Sequence, residues 1–125
     1  TGMVLVGHGS RRNPASGRST ARLARDIGEL SLFADTAAAF LEEQPTVPEA
    51  VSSCPAERVL AIGCFIEAGL HATRDVPRGL LESGRDAAYS GPIGACGWID
   101  DLVLDQARAG LRRHAQIAGQ GVWNA

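Results

Sequence analysis

The sequence contains no lysine: all twelve of its basic residues are arginine. Set against fourteen acidic residues they leave a formal net charge of −2, so binding to a nucleic-acid backbone has no overall electrostatic support. The arginine-only usage reads first as a coding bias, alongside the many alanines and glycines. It reads second as a hint of carboxylate recognition, because a guanidinium forks onto a carboxylate where an ammonium does not. No CxxC pair occurs among the three cysteines, Cys54, Cys64 and Cys96, and pairing any two leaves one over. That pattern fits free thiols in a reducing compartment, and the expected location is cytoplasmic. Apolar runs are too short to span a bilayer and no charged-then-apolar leader precedes the first strand, so no membrane partner is expected. Thr1 and Gly2 read as additions ahead of a natural start at Met3. Also missing are a Walker loop, GxGxxG, HExxH and GxSxG, which removes several familiar enzyme designs.

What remains has the length and patterning of one ordinary globular domain, with 125 residues of which 45% are apolar. Met3-Val4-Leu5-Val6 is a short continuous apolar run, as expected of a strand covered on both faces. Ala21, Leu23, Ala24, Ile27 and Leu30 recur at helical spacing and predict a helix over 16–30. TAAAFLE (36–42) reads as a second strand, although its three alanines suit a helix equally well. Pro45 and Pro48 punctuate a turn into a short helix through Ala50 and Val51. RVLAIGCF (58–65) is the clearest strand and runs out into the loop EAGLHATRD (67–75). A helix is expected over 75–81, with Pro77 in its first turn. AAYSGPIG (87–94) reads as a weak last strand plus turn. Over 98–116, Ile99, Leu102, Val103, Ala107 and Leu111 fall on one face of a long amphipathic helix, and 117–125 read as a flexible tail. The alternation predicts a single α/β domain over 1–125: a three-layer sandwich with a four-stranded parallel sheet and right-handed crossovers.

In such sheets ligands bind beyond the carboxyl ends of the strands. His8 closes the first strand between Gly7 and Gly9, Glu42 closes the second, and His71 lies in the loop leaving the third, two residues after Gly69. Two imidazoles and a carboxylate gathered at one edge suit a divalent Co, Ni, Fe or Zn ion. The flanking glycines would let a large flat ligand approach. Plainer roles fit the same residues. A loop histidine is often a surface or capping residue, and Glu43 stands beside Glu42 as a substitute. Asp75 reads as a helix N-cap and Arg74 as a surface cation. Ser10 reads equally as a turn residue, with Arg11 and Arg12 solvated. His114, near a helix C-terminus, complements the helix dipole. Cys64 and Cys96 lie near strand ends and read as buried, inert thiols.

Four stretches taken in order, VLVGHGSRR, AFLEEQPTVPEAV, RVLAIGCFIEAGLHATRDVPRGL and GPIG before a final helix, resemble the short sirohydrochlorin chelatases of the CbiX/SirB type. The resemblance runs over 3–111, and GHGSR followed by AGxHxxxDxP carries it. It implies a flavodoxin-like chelatase fold and insertion, without ATP, of a divalent metal (cobalt, nickel or iron) into sirohydrochlorin or a related tetrapyrrole. The metal is then a substrate, no organic cofactor is needed, and two copies pair as a homodimer, to which Trp98 and Trp123 lend apolar surface. Carried over by position, His8, His71 and Glu42 become the catalytic and metal-binding set, with His8 the proton acceptor. Ile66, Glu67, Ala68, Gly69 and Leu70 match the segment lining the macrocycle. Charge adds Ser10, Arg11 and Arg74 as groups to meet the acidic side chains of the substrate. The family's apolar PLFL is here GCFI, and Glu67 replaces a small or apolar residue, so Glu67 and Cys64 bring an extra carboxylate and thiol. Two other readings fit the same residues: a metal- or tetrapyrrole-binding carrier without turnover, and a metal-dependent enzyme of specialised metabolism. A phosphate or flavin binder fits less well, because the first loop lacks an anion cradle.

Overall fold

The first strand, β1 (Gly2–Gly7), is buried along its whole length, and alternation of its side chains builds two cores. Val4 and Val6 face one way and pack with Val47, Ala50 and Val51 of α2 (Val47–Ser53) and Val76 and Leu80 of α3 (Val76–Glu82). Met3 and Leu5 face the other way, onto Ala24 and Ile27 of α1 (Arg18–Gly28). Each fully buried valine contributes about 1.5–3 kcal/mol relative to exposure. These contacts belong to a computed structural model that describes residues 1–13 and 15–119, the side chains of 117–119 excepted. The tail expected at 117–125, with Trp123, lies outside the described residues apart from the backbone of 117–119.

Three further strands, β2 (Thr36–Phe40), β3 (Arg58–Gly63) and β4 (Asp86–Pro92), complete a parallel sheet in the order β2-β1-β3-β4. The expected α/β class, with a four-stranded parallel sheet between helical layers, is therefore present. Two devices fix α2 between its neighbours. Thr46 and Glu49 form a capping box, Glu49 N–H donating to Thr46 Oγ1 (3.4 Å) and Thr46 N–H to Glu49 Oε2 (3.1 Å), an arrangement worth about 1 kcal/mol. At the C-terminal end of α2, the Arg85 guanidinium donates to the carbonyls of Val51 and Ser52 in the last turn and of Cys54 and Ala56 just beyond it.

Element boundaries depart from the sequence expectation at several places. Helix α1 occupies Arg18–Gly28 rather than 16–30, because a turn built on Asn13 precedes it and Ser31, at φ 55°, reverses the chain after it. Strand β2 stops at Phe40 and β3 at Gly63, so the residues that follow are free to turn out over the sheet edge. Helical structure after the third strand begins at His71, not at 75: a π-helical turn (His71–Asp75) runs directly into α3. The last strand, by contrast, follows the expectation of a strand plus turn: it ends at Pro92 and a 3₁₀ turn (Ile93–Ala95) follows.

The chain divides into two compact units, Thr1–Ala95 and Cys96–Ala125. The first holds the sheet and α1 to α3. The second holds α4 (Ile99–Gly119), whose predicted apolar face includes Leu102, Val103 and Leu111, all exposed. Among the described residues no helix is long and apolar enough to cross a membrane.

Candidate functional site

Strand order places the site. The chain moves from β1 outward to β2, then returns to build β3 on the other side of β1, so the loops after β1 and β3 diverge at a topological switch point. His8 is the first residue beyond β1. Its backbone carbonyl accepts the amides of Leu41 and Glu42 (3.2 and 3.0 Å), which fixes the turn after β2 beside it. Gly9 follows with φ +70°, where an L side chain would be strained and would meet Glu43 at 2.7 Å. Glu43 itself accepts the Ser10 amide at 3.2 Å. It therefore serves the turn, and the choice left open between Glu42 and Glu43 falls to Glu42 for the position beside His8.

On the β3 side the chain passes through an exposed loop, 66–70, before reaching His71. Gly94 props that loop from below: its N–H donates to the Phe65 carbonyl (3.0 Å), and any Cβ there would overlap the Ile66 carbonyl. Ile66 and Leu70 are left 66% and 63% exposed, a large apolar offering immediately before the histidine. The π-helical turn then carries His71 over the sheet edge.

The two imidazoles meet. His8 Nε2 and His71 Nε2 are 3.3 Å apart, with ring planes at 88°. Two imidazole nitrogens each about 2.1 Å from one ion, at a bond angle of about 105°, stand about 3.3 Å apart. Glu42 Oε1 lies 3.9 Å from the same His8 nitrogen. All three side chains are roughly half exposed. Among the described residues no group of three or more His, Cys, Asp or Glu side chains is arranged to hold a metal ion; the arrangement is the histidine pair with Glu42 beside it.

Each ring is held from behind. His8 Nδ1 is 2.9 Å from the Gly9 carbonyl, and His71 Nδ1 is 2.7 Å from Asp75 Oδ2. Asp75 makes no capping bond to a helix amide, which corrects the N-cap expectation. Its other oxygen accepts Arg74 Nε–H at 3.1 Å. The His71 hydrogen bond first, and Arg74 second, hold the Asp75 carboxyl below the usual carboxylate range. Asp75 is the site residue that sequence reasoning missed. A His and an Asp four apart share a helical face, but that signal appears only once the helix is started at His71.

The remaining candidates are spread around this centre. Arg11 is exposed and lines a cavity of about 350 Å³ with Ser10, Leu41 and Glu42. The Ser10 hydroxyl accepts the amides of Arg12 and Asn13 (both 3.2 Å), the geometry of a turn residue. A second cavity, about 370 Å³, opens between Glu42, His71, Asp75, Arg78 and Glu82. Glu67, Ala68 and Gly69 are exposed in the 66–70 loop. Cys64 packs into the α1-side core and burial pushes its thiol up, against a smaller lowering by its hydrogen bond with Thr20, as an inert thiol requires. Cys96 is exposed, not buried as expected, since it follows the last turn rather than a strand.

Comparison with known proteins agrees in extent. The sequence model of the CbiX family matches residues 2–109. The sirohydrochlorin cobaltochelatase of Methanocaldococcus jannaschii is 31% identical, over 84% of this chain and 96% of that protein. The protein of the same name from Methanosarcina barkeri is 29% identical, over 88% and 96%. Among solved structures, a CbiX described as the terminal enzyme of siroheme biosynthesis in denitrifying bacteria aligns with TM-score 0.75 at 26% identity, over 87% of this chain and 47% of that one. A CbiX protein from Marinobacter aquaeolei shares the fold, with TM-score 0.72 at 24% identity over 90% of this chain and 98% of its own. A match along most of the sequence, a near-full-length relative above 30% identity and the same sheet architecture agree: the chain belongs to the CbiX family.

Proposed function

We propose that this chain inserts a divalent metal ion, cobalt first and nickel or iron as alternatives, into sirohydrochlorin or a closely related tetrapyrrole without ATP. The observation that carries the reading is the 3.3 Å approach of His8 Nε2 and His71 Nε2 at the sheet edge. The names of the relatives, sirohydrochlorin cobaltochelatases, support both the substrate and the first choice of metal.

Insertion breaks two pyrrolic N–H bonds and delivers a cation to the ring nitrogens. The histidines perform complementary parts: His71 and His8 present the ion, and His8, as the cation passes to the ring, takes up a released proton. Glu42, 3.9 Å away, offsets positive charge, takes up the second proton and passes both to solvent. Because the ion is a substrate, it must leave; a two-imidazole set with open positions holds it without trapping it. Exposed Ile66 and Leu70 offer apolar cover for the flat macrocycle, and Glu67, Ala68 and Gly69 complete that lining. Arg11 and Arg74 meet the substrate's carboxylates, assisted by Ser10. Two copies pair, an arrangement supported by the chain's spanning 47% of the denitrifier CbiX, which leaves room there for a second lobe. The free cysteines suit a cytoplasmic setting, and the reaction as proposed needs no organic cofactor.

The test is spectroscopic. Purified protein is mixed with sirohydrochlorin and Co²⁺, Ni²⁺ or Fe²⁺, and the macrocycle's absorption is followed against a protein-free control. Acceleration with at least one metal is expected. Binding of metal and macrocycle with no rate gain would make the protein a carrier and overturn the proposal.

A further inference from the structure

We infer that Asp75 is a positioning residue: it keeps the His71 hydrogen on Nδ1 and so leaves the Nε2 lone pair facing His8. The inference rests on the two-histidine reading above and adds to it the group that decides which nitrogen of His71 is available.

A neutral imidazole has one N–H and one lone-pair nitrogen. A carboxylate only accepts, so the His71 nitrogen 2.7 Å from Asp75 Oδ2 is the N–H. Nε2 is then bare and lies 3.3 Å from its counterpart on His8. Free histidine favours the opposite tautomer, which would point an N–H at the ion. The ring of His8 is set the same way, by the Gly9 carbonyl at 2.9 Å, a main-chain oxygen that no side-chain substitution removes. His71 has no such main-chain partner on Nδ1 among its described contacts; its orientation comes from a side chain.

The backbone is shaped for this bond. In the π-helical turn the Val76 N–H reaches back to the His71 carbonyl, one residue beyond α-helical reach, and His71 and Asp75 stand on one side of it. Asp75 is only 25% exposed, and Arg74 Nε–H occupies its second oxygen at 3.1 Å, so the carboxylate is held at both ends. A helix cap would have sent the carboxylate to a backbone amide, and it does not. Carboxylate partners of metal-binding imidazoles act through just this control of tautomer and orientation.

The experiment compares the parent with Asp75→Ala and Asp75→Asn. The first readout is the pair of ring-¹⁵N shifts of His71 in metal-free protein, at a pH where the imidazole is neutral. Nδ1 should carry the hydrogen in the parent, and Asp75→Ala should move it toward Nε2. The second is Co²⁺ affinity of the protein alone, which should fall about 10–100-fold in Asp75→Ala. Asp75→Asn, whose amide oxygen accepts the same N–H, should recover most of that loss. In insertion assays kcat should fall in Asp75→Ala and largely recover in Asp75→Asn. A His71 hydrogen on Nε2 in the parent, or an unchanged Co²⁺ affinity in folded Asp75→Ala, would overturn the inference. If Asp75→Ala does not fold, the parent's shifts and the affinity of Asp75→Asn decide. If the parent inserts no metal, the functional reading fails, while tautomer and Co²⁺ affinity still judge Asp75.

Discussion

His8 stands one residue beyond the most buried strand of the sheet, in a turn shaped by a left-handed glycine, and its ring leans on a main-chain carbonyl. His71 opens a π-helical turn after an exposed loop, and its ring leans on a carboxylate. The two deliver the same atom to one place by different supports. The β1 side depends on backbone conformation, which only substitutions that strain the turn can disturb. The β3 side depends on a side chain and on the packing beneath a loop, both of which single substitutions reach directly.

The largest effect should come from removing either ring. His8→Ala and His71→Ala should each lower metal insertion at least about a hundredfold, with circular dichroism and the unfolding midpoint near the parent's, because both side chains are half exposed. Insertion at parental rates in either variant would end the claim that the rings act together.

Much of this pair was legible beforehand. Continuous apolar runs located β1 and β3, and the rule that ligands gather at carboxyl ends put His8, Glu42 and His71 on one edge. Local glycines misled, because they look alike in sequence. Gly9 is required by its φ of +70° and by Glu43, whereas a Cβ on Gly69 would meet nothing within 4 Å. Asp75 was hidden by the helix start, since Pro77 marks a first turn and gives no sign of the π-helical turn ahead of it. Gly94 carries no local signal at all: its need arises from a loop 28 positions earlier in the chain, and only the folded sheet brings them together. The amphipathic pattern of α4 gave the helix correctly, but a pattern does not say what its apolar face meets.

The next effect in size concerns the support under the loop. Gly94→Ala forces the Ile66 carbonyl away, displacing the segment that leads to His71, and a misplacement of about 1 Å can cost about a hundredfold in rate. We expect insertion to fall more than tenfold while the His8 ring retains its ¹⁵N shifts; a shift confined to His8 would invert the assignment of the two supports. Gly9→Ala should disturb the other side. Left-handed backbone alone costs about 1–2 kcal/mol, and chemical denaturation should register at least that loss as the Glu43–Ser10 contact is displaced. Gly69→Ala should change stability by less than about 0.5 kcal/mol. Equal losses in the two variants would erase the asymmetry.

A subtler contrast is the response to acid. Asp75 is depressed in the folded protein, by His71 before Arg74, so its contribution is complete above the ordinary carboxylate value and disappears as pH falls through the lowered one. The stability difference between the parent and Asp75→Ala should close in strong acid. A difference that persists below that range would assign it to packing instead of the hydrogen bond.

The most direct test is a count of ligands. X-ray absorption at the cobalt edge, on protein loaded with one equivalent of Co²⁺, should show two imidazole nitrogens at about 2.1 Å, and one fewer in His8→Ala or His71→Ala. A spectrum of the parent with no imidazole, or with the same count in all three proteins, would contradict the shared site.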